Sequence, residues 1–480
     1  MRAERVGRLE RIFRLKGGNR LSVILSATQI SLRWRPRVVF YEYAAMLKRL
    51  EGYFEFARLG TNWRTEILAG VTTFLTMAYI VLVNPAILAE AGMPLAAVTA
   101  ATCLSAAFAS LLMGFYARYP IALAPGMGLN AYFTYSVCLK MHVPWQTALG
   151  AVFLSGVIFL ALTAGGIRQM ILRAIPHELY AAVAGGIGLF IAFIGFQHAG
   201  LVIADKATIV GLGNVRSPAT ALAVFGLILM VVLEARKVRG SILIGVLATT
   251  ALAWAFGLVH WTPAAGGFSS LGATAFKLDI RGALNKSLLE IVFVFFFVEL
   301  FDNLGTLVAV TKRAGLIEAD HSIPRLSRIL FADATATIFG SLTGTSTVTS
   351  YVESTAGVAA GGRSGVTAIV TGLLFLGAIG AAPFVGIVPQ AATAPALILV
   401  GSMMLATVTE IDWKDPLVSV PAFLTLVMIP FTYSIANGLG FGIIAWAAIH
   451  LATGKFRRQD WLLYVLAALF LFRFVYLTVS

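Results

Sequence analysis

Long apolar runs, separated by short polar or basic stretches, follow one another from residue 66 to residue 453. A helix needs about 20 mostly apolar residues to cross the hydrocarbon of a bilayer. The runs predict about fourteen transmembrane segments, at residues 66–89, 96–116, 119–138, 145–164, 178–199, 217–234, 240–260, 287–311, 325–343, 345–361, 364–385, 388–409, 417–434 and 435–453. A further apolar stretch, 461–478, contains Arg473, and the sequence leaves open whether it spans the membrane or lies at its surface. The pattern predicts an all-α polytopic membrane protein.

Composition supports this class. Hydrophobic residues make up 59% of the 480 residues and charged residues only 12%, whereas soluble domains average about 25% charged residues. So few charges cannot cover a globular protein of this size in water. Cys103 and Cys138 lie inside apolar runs, so no disulfide is expected, and the six histidines show no metal-ligand spacing. We therefore expect neither a metal site nor a bound cofactor.

The net charge of +14 is unevenly placed along the chain. Residues 1–45 contain nine Arg and one Lys against three Glu, and basic residues recur in alternate loops, for example at Arg236, Lys237 and Arg239. An excess of Lys and Arg marks the cytoplasmic side of membrane proteins. We therefore expect a multi-pass protein of the cytoplasmic membrane with a cytoplasmic N-terminus. The same rule explains the basic arm better than binding to nucleic acid does.

Three explanations compete for the basic extension at residues 1–45. It is a cytoplasmic arm, or a lipid-binding anchor because Arg recurs every third residue from Arg2 to Arg14, or a stretch that is not translated. Its only apolar run, at residues 22–32, is about half the length needed to span a bilayer. We expect the third explanation, with Met46 as the first residue.

Two of the fourteen segments are poor continuous helices because they are rich in Gly, Pro, Ser and Thr. Segment 119–138 begins YPIALAPGMGLNAYF, and segment 345–361 reads TSTVTSYVESTAGVAAG. They are the third segments of two seven-segment halves, and seven is odd, so the second half is inverted relative to the first. Matched breaks of this kind mark the binding site of a secondary transporter. The predicted domains are a first repeat, an extracytoplasmic connection, a second repeat and a C-terminal hydrophobic segment, at residues 46–260, 261–286, 287–453 and 454–480.

Acidic residues interrupt one of the most apolar parts of the chain, FFFVELFDNLGT at residues 295–306. Glu299, Asp302 and Thr306 are spaced at i, i+3 and i+7, which places them on one face of a helix. A single Asp at the centre of a membrane helix costs about 2.5–3.5 kcal/mol. This face is therefore expected to look into the bundle, towards water, a partner or a ligand.

The broken segments carry further polar residues. Glu353 is the only charged residue of the tenth segment, and Asn130 in the third offers both a donor and an acceptor. Acids without a basic partner in the same run favour a substrate or proton site, and the alternative is a buried structural network of acids and hydroxyls. Asp333 is a fourth acid, which either belongs to the same cavity or pairs with Arg325 or Arg328.

Two other features favour no separate site. Residues 126–131 match the dinucleotide-binding pattern GxGxxA, but the next acidic residue is Glu178, too far along for a true fingerprint. The match is accidental, and the glycines here let the backbone break. His198 and His450 lie near predicted helix ends, where an interfacial role fits better than a catalytic one.

Four stretches resemble the azaguanine-type (AzgA-like) branch of the nucleobase:cation symporter-2 family, the permeases for hypoxanthine, guanine and adenine. They are TEILAGVTTFLTMAYIVLVNPAIL (65–88), ALAPGMGLNAYF (122–133), FVELFDNLGTLVAV (297–310) and GTSTVTSYVESTAGVAAGGRSG (344–365). The resemblance covers about residues 47–480. It implies a transporter rather than an enzyme, with seven plus seven helices in an inverted repeat divided into core and gate domains. In that fold the third and tenth segments each pair a short strand with a half-helix, and the base binds between them.

The resemblance also implies site residues. It places polar contacts to the base at Asn130, Glu299, Asp302 and Glu353, and the neighbouring candidates are Met127, Gly128, Ser354 and Thr306. The candidates for proton coupling are Asp302, Glu299 and Asp333. A carboxylate can accept two hydrogen bonds from adjacent donors such as guanine N1–H and its exocyclic amine. The coupling ion is a proton or sodium, and related carriers imply a homodimer.

Other functions fit the sequence less well. Ser354 follows Glu353 where the xanthine and uracil branches have Asn, which argues against those two bases. An anion carrier on the same scaffold would favour a cation or helix dipoles over unpaired acids. An intramembrane aspartyl protease needs two catalytic acids held as a pair, and nothing in the sequence specifies such a pair. A pore has no need of two matched breaks, which indicate alternating access instead.

Overall fold

The computed structural model describes residues 45–165, 176–259, 267–285, 288–316, 323–456 and 460–476. The basic extension up to residue 44 lies outside these ranges, so its three explanations stay open. The described residues up to Asn62 belong to one compact unit and those from Trp63 onward to a second. In the first unit, residues 45–53 and Phe56–Leu59 are helical, and Arg58 forms a salt bridge with Glu55 at 2.5 Å.

The first half of the second unit consists mainly of helices. Its elements are α1 (Trp63–Met77), α2 (Ile80–Glu90), α3 (Leu95–Leu112), β1 (Leu123–Pro125), α4 (Met127–Ala131), α5 (Trp145–Ala164), α6 (His177–His198), β2 (Val202–Asp205), β3 (Ile209–Leu212), α7 (Pro218–Ala235) and α8 (Ser241–Ala255). Wider π-helical turns extend α3 through Met113–Ala117 and α4 through Tyr132–Lys140.

The second half of this unit is also mainly helical. Its elements are α9 (Ile280–Ala283), α10 (Leu289–Ala314), α11 (Leu326–Thr343), β4 (Val348–Ser350), α12 (Ser354–Ala359), α13 (Gly365–Ala378), α14 (Gln390–Met404), α15 (Pro416–Thr432), α16 (Ile435–Ala452) and α17 (Trp461–Tyr476). Tighter 3₁₀ turns follow α13 at Ile379–Ile387 and α14 at Leu405–Glu410.

Helices suited to a bilayer dominate the described residues. Eight are long and apolar enough to cross a membrane, at Trp63–Glu90, Leu95–Ala117, Trp145–Ala164, His177–His198, Pro218–Ala235, Gly365–Ile387, Gln390–Glu410 and Ile435–Ala452. Large apolar side chains point outward, among them Ile228 (58% exposed) and Phe431 (79% exposed). Lipid tails accept such side chains, whereas water does not. The predicted helical, multi-pass membrane protein is confirmed.

The helices pack in two groups. The first helix group contains α1, α3, α5, α10, α11 and α13 together with β1, β4 and α12, and the second contains α6, α7, α8, α14, α15 and α16. The groups meet where α10 packs against α6 and α16 and where α1 packs against α8, and the short helices α4 and α2 contact α6 and α14. Inside the second group, α6 and α14 cross so closely that a Cβ at Gly401 would lie 2.3 Å from the carbonyl oxygen of Gly188.

Short strands interrupt the helices in the third and tenth segments. Strands β1 and β4 pair antiparallel, with the register Leu123–Ser350, Ala124–Thr349 and Pro125–Val348. Just beyond β4, Tyr351 N donates to Ala122 O at 3.0 Å. The local sequence favours this geometry, because the β-branched residues of TSTVTS prefer extended backbone and Pro125 has no N–H to give to a helix. The strand pair brings the two interrupted segments face to face.

A second strand pair was not predicted by the hydropathy pattern. Strands β2 and β3 form a hairpin between α6 and α7, with Val202 opposite Leu212. The Asp205 carboxylate accepts hydrogen bonds from Thr208 N at 2.9 Å and Ala207 N at 2.8 Å in its turn. These N–H groups lower the pKa of Asp205, because they stabilise its charged form. The hairpin has exposed strands and makes no contribution to the site described below.

The half-helix α12 packs against α1 without room for a larger side chain. A Cβ at Gly357 would lie 2.0 Å from Thr73 Oγ1 and 2.7 Å from Ala69 O. We expect Gly357→Val to lower the free energy of unfolding by about 1–3 kcal/mol, as overpacking does, and to lower the melting temperature of the purified protein. Gly377→Val is the matched control, since nothing lies within 4 Å of that position. Equal melting temperatures for the two variants would contradict this packing.

Candidate functional site

Glu353 lies between strand β4 and half-helix α12, and it is half-buried. Tyr79 donates its hydroxyl hydrogen to Glu353 Oε1 at 2.8 Å, and the tyrosine itself is only 1% exposed. Tyr79 sits at the break between α1 and α2, so an interruption in the first span faces the interrupted tenth segment. The carboxylate is thus held at one oxygen and keeps acceptor capacity for a further donor.

Asn130 joins the third segment to the tenth. It lies in α4, is fully buried, and accepts a hydrogen bond at Oδ1 from the hydroxyl of Ser346, which precedes β4. Its Nδ2 points to the sulfur of Met127 at 3.9 Å. Asn130 therefore lies opposite the tenth segment, as predicted, and contacts it directly through the side chain of Ser346.

Glu299 lies fully buried on α10. The hydroxyl of Thr337, on α11, donates to Glu299 Oε1 and also lies 3.0 Å from the carbonyl oxygen of Val348 in β4. One threonine therefore ties the acid of the eighth segment to the strand of the tenth. Asp333 precedes Thr337 by one helical turn, is fully buried, and so lies on the same side of α11.

The other predicted residues surround this framework. The hydroxyl of Ser354 accepts a hydrogen bond from Ala122 N at 3.0 Å, so it fastens α12 to the third segment. A Cβ at Gly128 would lie 2.4 Å from Ile187 Cγ2 on α6, so this glycine lets the second helix group approach the third segment. Thr306 is 9% exposed on α10. The side chain of Asp302 lies outside the described part of the chain.

Buried polar atoms without a hydrogen-bond partner are concentrated here. Among the described residues, they include both amide atoms of Asn303 and the hydroxyls of Thr347, Thr349 and Ser350. Asn303 follows Glu299 by one turn of α10, and the three hydroxyls belong to the tenth segment. A buried donor or acceptor without a partner costs about 1–3 kcal/mol. A polar ligand between α10 and the tenth segment would offset part of that cost.

Several of these residues were missed by sequence reasoning. Tyr79, Thr337 and Ser346 are ordinary residues in their local context, and only the folded chain brings them to the acids and to Asn130. Asn84 did carry a signal, because it interrupts the apolar run of the first segment in the same way as Glu299 interrupts the eighth. Asn84 is fully buried, and its Nδ2 donates to Thr102 Oγ1 at 2.7 Å and Thr345 Oγ1 at 3.1 Å.

Glu66 is a buried acid with a structural role. Its carboxylate accepts hydrogen bonds from Arg363 N at 2.9 Å, from Ser364 N at 3.1 Å and from the hydroxyl of Thr367 at 2.5 Å. These groups lie at the N-terminus of α13, where backbone N–H groups need acceptors. Burial of an acid alone therefore does not define the candidate site; the juxtaposition of Glu299, Asn130 and Glu353 around β1 and β4 does.

Solved transporters share this fold. The transmembrane domain of the cyanobacterial bicarbonate transporter BicA superposes with a TM-score of 0.57 at 15% identity, covering 85% of this chain and 97% of that one. The murine anion transporter Slc26a9, in its inward-facing state, gives a TM-score of 0.57 at 14% identity over 81% of this chain and 69% of its own. Identities this low establish similarity of fold alone.

Sequence relatives are much closer. A putative permease of Methanocaldococcus jannaschii is 51% identical over 90% of this chain and 100% of its own length. The guanine/hypoxanthine permease PbuG of Bacillus subtilis is 45% identical over 89% of this chain and 100% of its own, and the adenine permease AdeP of Escherichia coli is 41% identical over 89% and 96%. The family profile described as "Permease family" matches residues 64–438. This chain is a member of that permease family, the nucleobase:cation symporter-2 group that its four motifs resemble, and it is a transporter rather than an enzyme.

Proposed function

We propose that this protein imports purine nucleobases (hypoxanthine, guanine and adenine) across the cytoplasmic membrane by proton symport. One observation carries the proposal: the β1–β4 pair sets two interrupted segments face to face, with Asn130 on one and Glu353 on the other. Glu299 reaches the same strand pair through Thr337. Matched interruptions at membrane depth are where secondary transporters bind their substrates.

The chemistry of these groups matches a purine base. A purine is flat and neutral, and it presents ring N–H donors beside acceptor nitrogens. Glu353 and Glu299 offer carboxylate oxygens as acceptors for those donors, and Asn130 is an amide with both a donor and an acceptor. The printed names of PbuG and AdeP, which are guanine/hypoxanthine and adenine permeases, support the same substrate class.

The proposed transport mechanism is alternating access in a fold of fourteen segments. In this proposal the two helix groups are the core and gate domains that the family resemblance implies. The chain then forms two inverted seven-segment repeats. Substrate binds between α10 and the strand pair in the first helix group, against the face of α6 in the second. Movement of one group against the other would expose that space to each side of the membrane in turn.

Proton coupling is assigned to the acids on and beside α10. Asp302, Glu299 and Asp333 are the candidates, since a buried carboxyl can take up a proton on one side of the membrane and release it on the other. Each charge that crosses 100 mV releases about 2.3 kcal/mol, enough to accumulate a neutral base against its gradient. Sodium is the competing coupling ion.

Uptake by proteoliposomes tests the proposal. We expect labelled hypoxanthine to accumulate when a proton gradient is imposed, to be unaffected by replacing sodium with potassium, and to be displaced by unlabelled guanine or adenine. Uracil, xanthine and bicarbonate serve as competitors that should leave uptake unchanged. Competition by bicarbonate without competition by purines would overturn the purine assignment in favour of an anion. Accumulation driven by sodium alone would overturn proton coupling.

Tyr79→Phe tests how the Glu353 carboxylate is held. The change removes the hydroxyl that donates to Glu353 Oε1, and hydrogen bonds to charged groups contribute about 1.5–3 kcal/mol. We expect the KM for hypoxanthine to rise about tenfold at unchanged membrane abundance. Tyr119→Phe is the control, because its hydroxyl donates to Pro324 O at 2.6 Å on other elements. An unchanged KM in Tyr79→Phe would remove Tyr79 from the site.

A further inference from the structure

The C-terminal helix α17 lies antiparallel to α16. The ring centroids of Phe441 and Phe474 are 5.1 Å apart, and those of Trp446 and Tyr464 are 5.6 Å apart. The opposite face of α17 exposes large apolar side chains at Trp461, Val465, Leu469 and Phe472. One face of α17 therefore packs on α16 and the other is apolar and exposed, but its 16 residues are fewer than the about 20 that a spanning helix needs. Whether residues 461–478 span the membrane therefore stays open.

Arg473 is the charged residue within this apolar helix. Its Nη2 lies 2.5 Å from Glu290 Oε1 and donates to Asn437 Oδ1 at 2.9 Å. The side chains of Arg473 and Glu290 are 15% and 25% exposed. A guanidinium is tolerated among apolar groups only when it is paired and hydrogen-bonded. The ion pair with Glu290 explains how α17 can carry an arginine.

The partners of Arg473 belong to different helix groups. Glu290 is in the first turn of α10, nine residues before Glu299 in the first group. Asn437 is in the first turn of α16, in the second group. The apolar face of α17 holds it to α16, whereas its contacts with α10 include this ion pair and one aromatic pair, Phe293 with Phe470 at 5.7 Å. One guanidinium therefore bridges the groups whose relative movement alternating access requires.

We propose that Arg473 is a positioning residue for transport, and that its ion pair with Glu290 opens and re-forms in every cycle while its bond to Asn437 persists. The inference rests on the proposed function, because only a transport cycle moves the two groups. Glu290 lies in the first turn of α10 and Arg473 in the last turn of α17, and charged side chains near the ends of membrane helices can reach the aqueous interface, which keeps the separation reversible. Through Glu290, Arg473 sets where α10, and with it Glu299, stands relative to the second group.

Reversible cross-linking tests the moving contact. In a background of Cys103→Ala and Cys138→Ala, the pair Glu290→Cys/Arg473→Cys joins α17 to α10, and the pair Asn437→Cys/Arg473→Cys joins α17 to α16. Both pairs lose Arg473, so each is compared with the same variant before cross-linking, and the comparison isolates the effect of tying α17 to one helix or the other. With a short bifunctional thiol reagent that a reductant cleaves, we expect the first cross-link to lower hypoxanthine uptake at least tenfold and the reductant to restore it. The second cross-link should leave uptake at the level that the same variant shows before cross-linking.

Unchanged uptake in the first cross-linked pair would show a static contact and overturn the proposal. Arrest in both pairs would overturn it as well, because the movement would then lie between α16 and α17. If the cysteine pairs do not transport before cross-linking, charge exchange decides. Glu290→Gln and Arg473→Gln should each lower the maximal rate of uptake, with KM changed less than twofold. The exchanged pair Glu290→Arg/Arg473→Glu should recover at least half of the wild-type maximal rate. If the Gln variants instead lose membrane abundance while the rate per protein is unchanged, the ion pair is purely structural and the proposal is overturned.

The cross-linking test and the test of the proposed function can fail independently of each other. Absence of purine uptake or binding by the unaltered protein would refute the purine assignment. Normal purine uptake together with an ineffective α10–α17 cross-link would refute only the moving ion pair.

Discussion

Replacing Glu353 by Gln is expected to abolish purine uptake or reduce it to a small fraction while the protein remains inserted and folded. Glu353 is the acid of the tenth segment, and its Oε1 is held by Tyr79 at the end of the strand pair. Loss of one charged hydrogen bond to a buried ligand costs about 1.5–3 kcal/mol, which is roughly a ten- to a hundred-fold loss of affinity. The measurement is initial uptake of labelled hypoxanthine at matched membrane abundance.

Glu234→Gln supplies the control for this change. Glu234 is exposed at the end of α7 and accepts a hydrogen bond from Ser241 at 2.5 Å. The same loss of charge there should leave KM and maximal rate unaltered. Wild-type uptake by the Glu353→Gln variant would show that the carboxylate does not bind substrate. The strand pair would then lack the acceptor that we propose for it.

The sequence already contained the main signals for the site. Glu299 and Glu353 stood out because acids are costly in apolar runs, and the two interrupted segments stood out because Gly, Pro, Ser and Thr weaken helices. Neither signal could reveal which groups hold the acids. Tyr79 and Glu353 are 274 residues apart, and Ser346 and Asn130 are 216 apart. Helical spacing identifies residues that share one face of one helix, whereas contacts between elements depend on the packing of the whole bundle.

Structure also separates acids that look alike in sequence. Glu66 and Glu299 both lie in predicted spans, and both are fully buried. Glu66 accepts backbone N–H groups at the start of α13, and that is a capping role. Glu299 instead lies one turn before Asn303, whose amide lacks a partner among the described residues, on the helix that packs against β4. The difference lies in the neighbouring elements, which local composition does not specify.

Fold likeness alone would have pointed to a different substrate. BicA is a bicarbonate transporter and Slc26a9 an anion transporter, and both share the architecture at about one-seventh identity. A scaffold can host several substrates, so function must be argued from the site. Here the groups around β1 and β4 are two carboxylates, an amide and several hydroxyls, a set that repels an anion and accepts the N–H donors of a neutral base.

Glu299→Gln is expected to weaken purine binding about ten- to a hundred-fold, by the same loss of a charged acceptor. Binding would be measured at equilibrium with labelled guanine or hypoxanthine on purified protein. Asp302→Asn provides the contrast within the same helix. By our assignment it should still exchange bound substrate across the membrane, but it should lose accumulation driven by the proton gradient. Equal loss of equilibrium binding in the two variants would contradict this division of roles.

Thr337 offers a second route to the same acid. Thr337→Val keeps the shape of the side chain but removes the hydroxyl that donates to Glu299 and lies beside Val348 O, whereas Thr337→Ser keeps that hydroxyl. We expect the valine variant to lose about ten-fold in affinity for hypoxanthine, because Glu299 is no longer held at the strand pair, and the serine variant to bind nearly as wild type. Adding Thr337→Val to Glu299→Gln should cost little more than Glu299→Gln alone, since Thr337 acts on binding through the carboxylate that Glu299→Gln has already removed. Additive losses in the double variant would show that Thr337 acts independently of Glu299, and the link from α10 to β4 would lose its proposed role in binding.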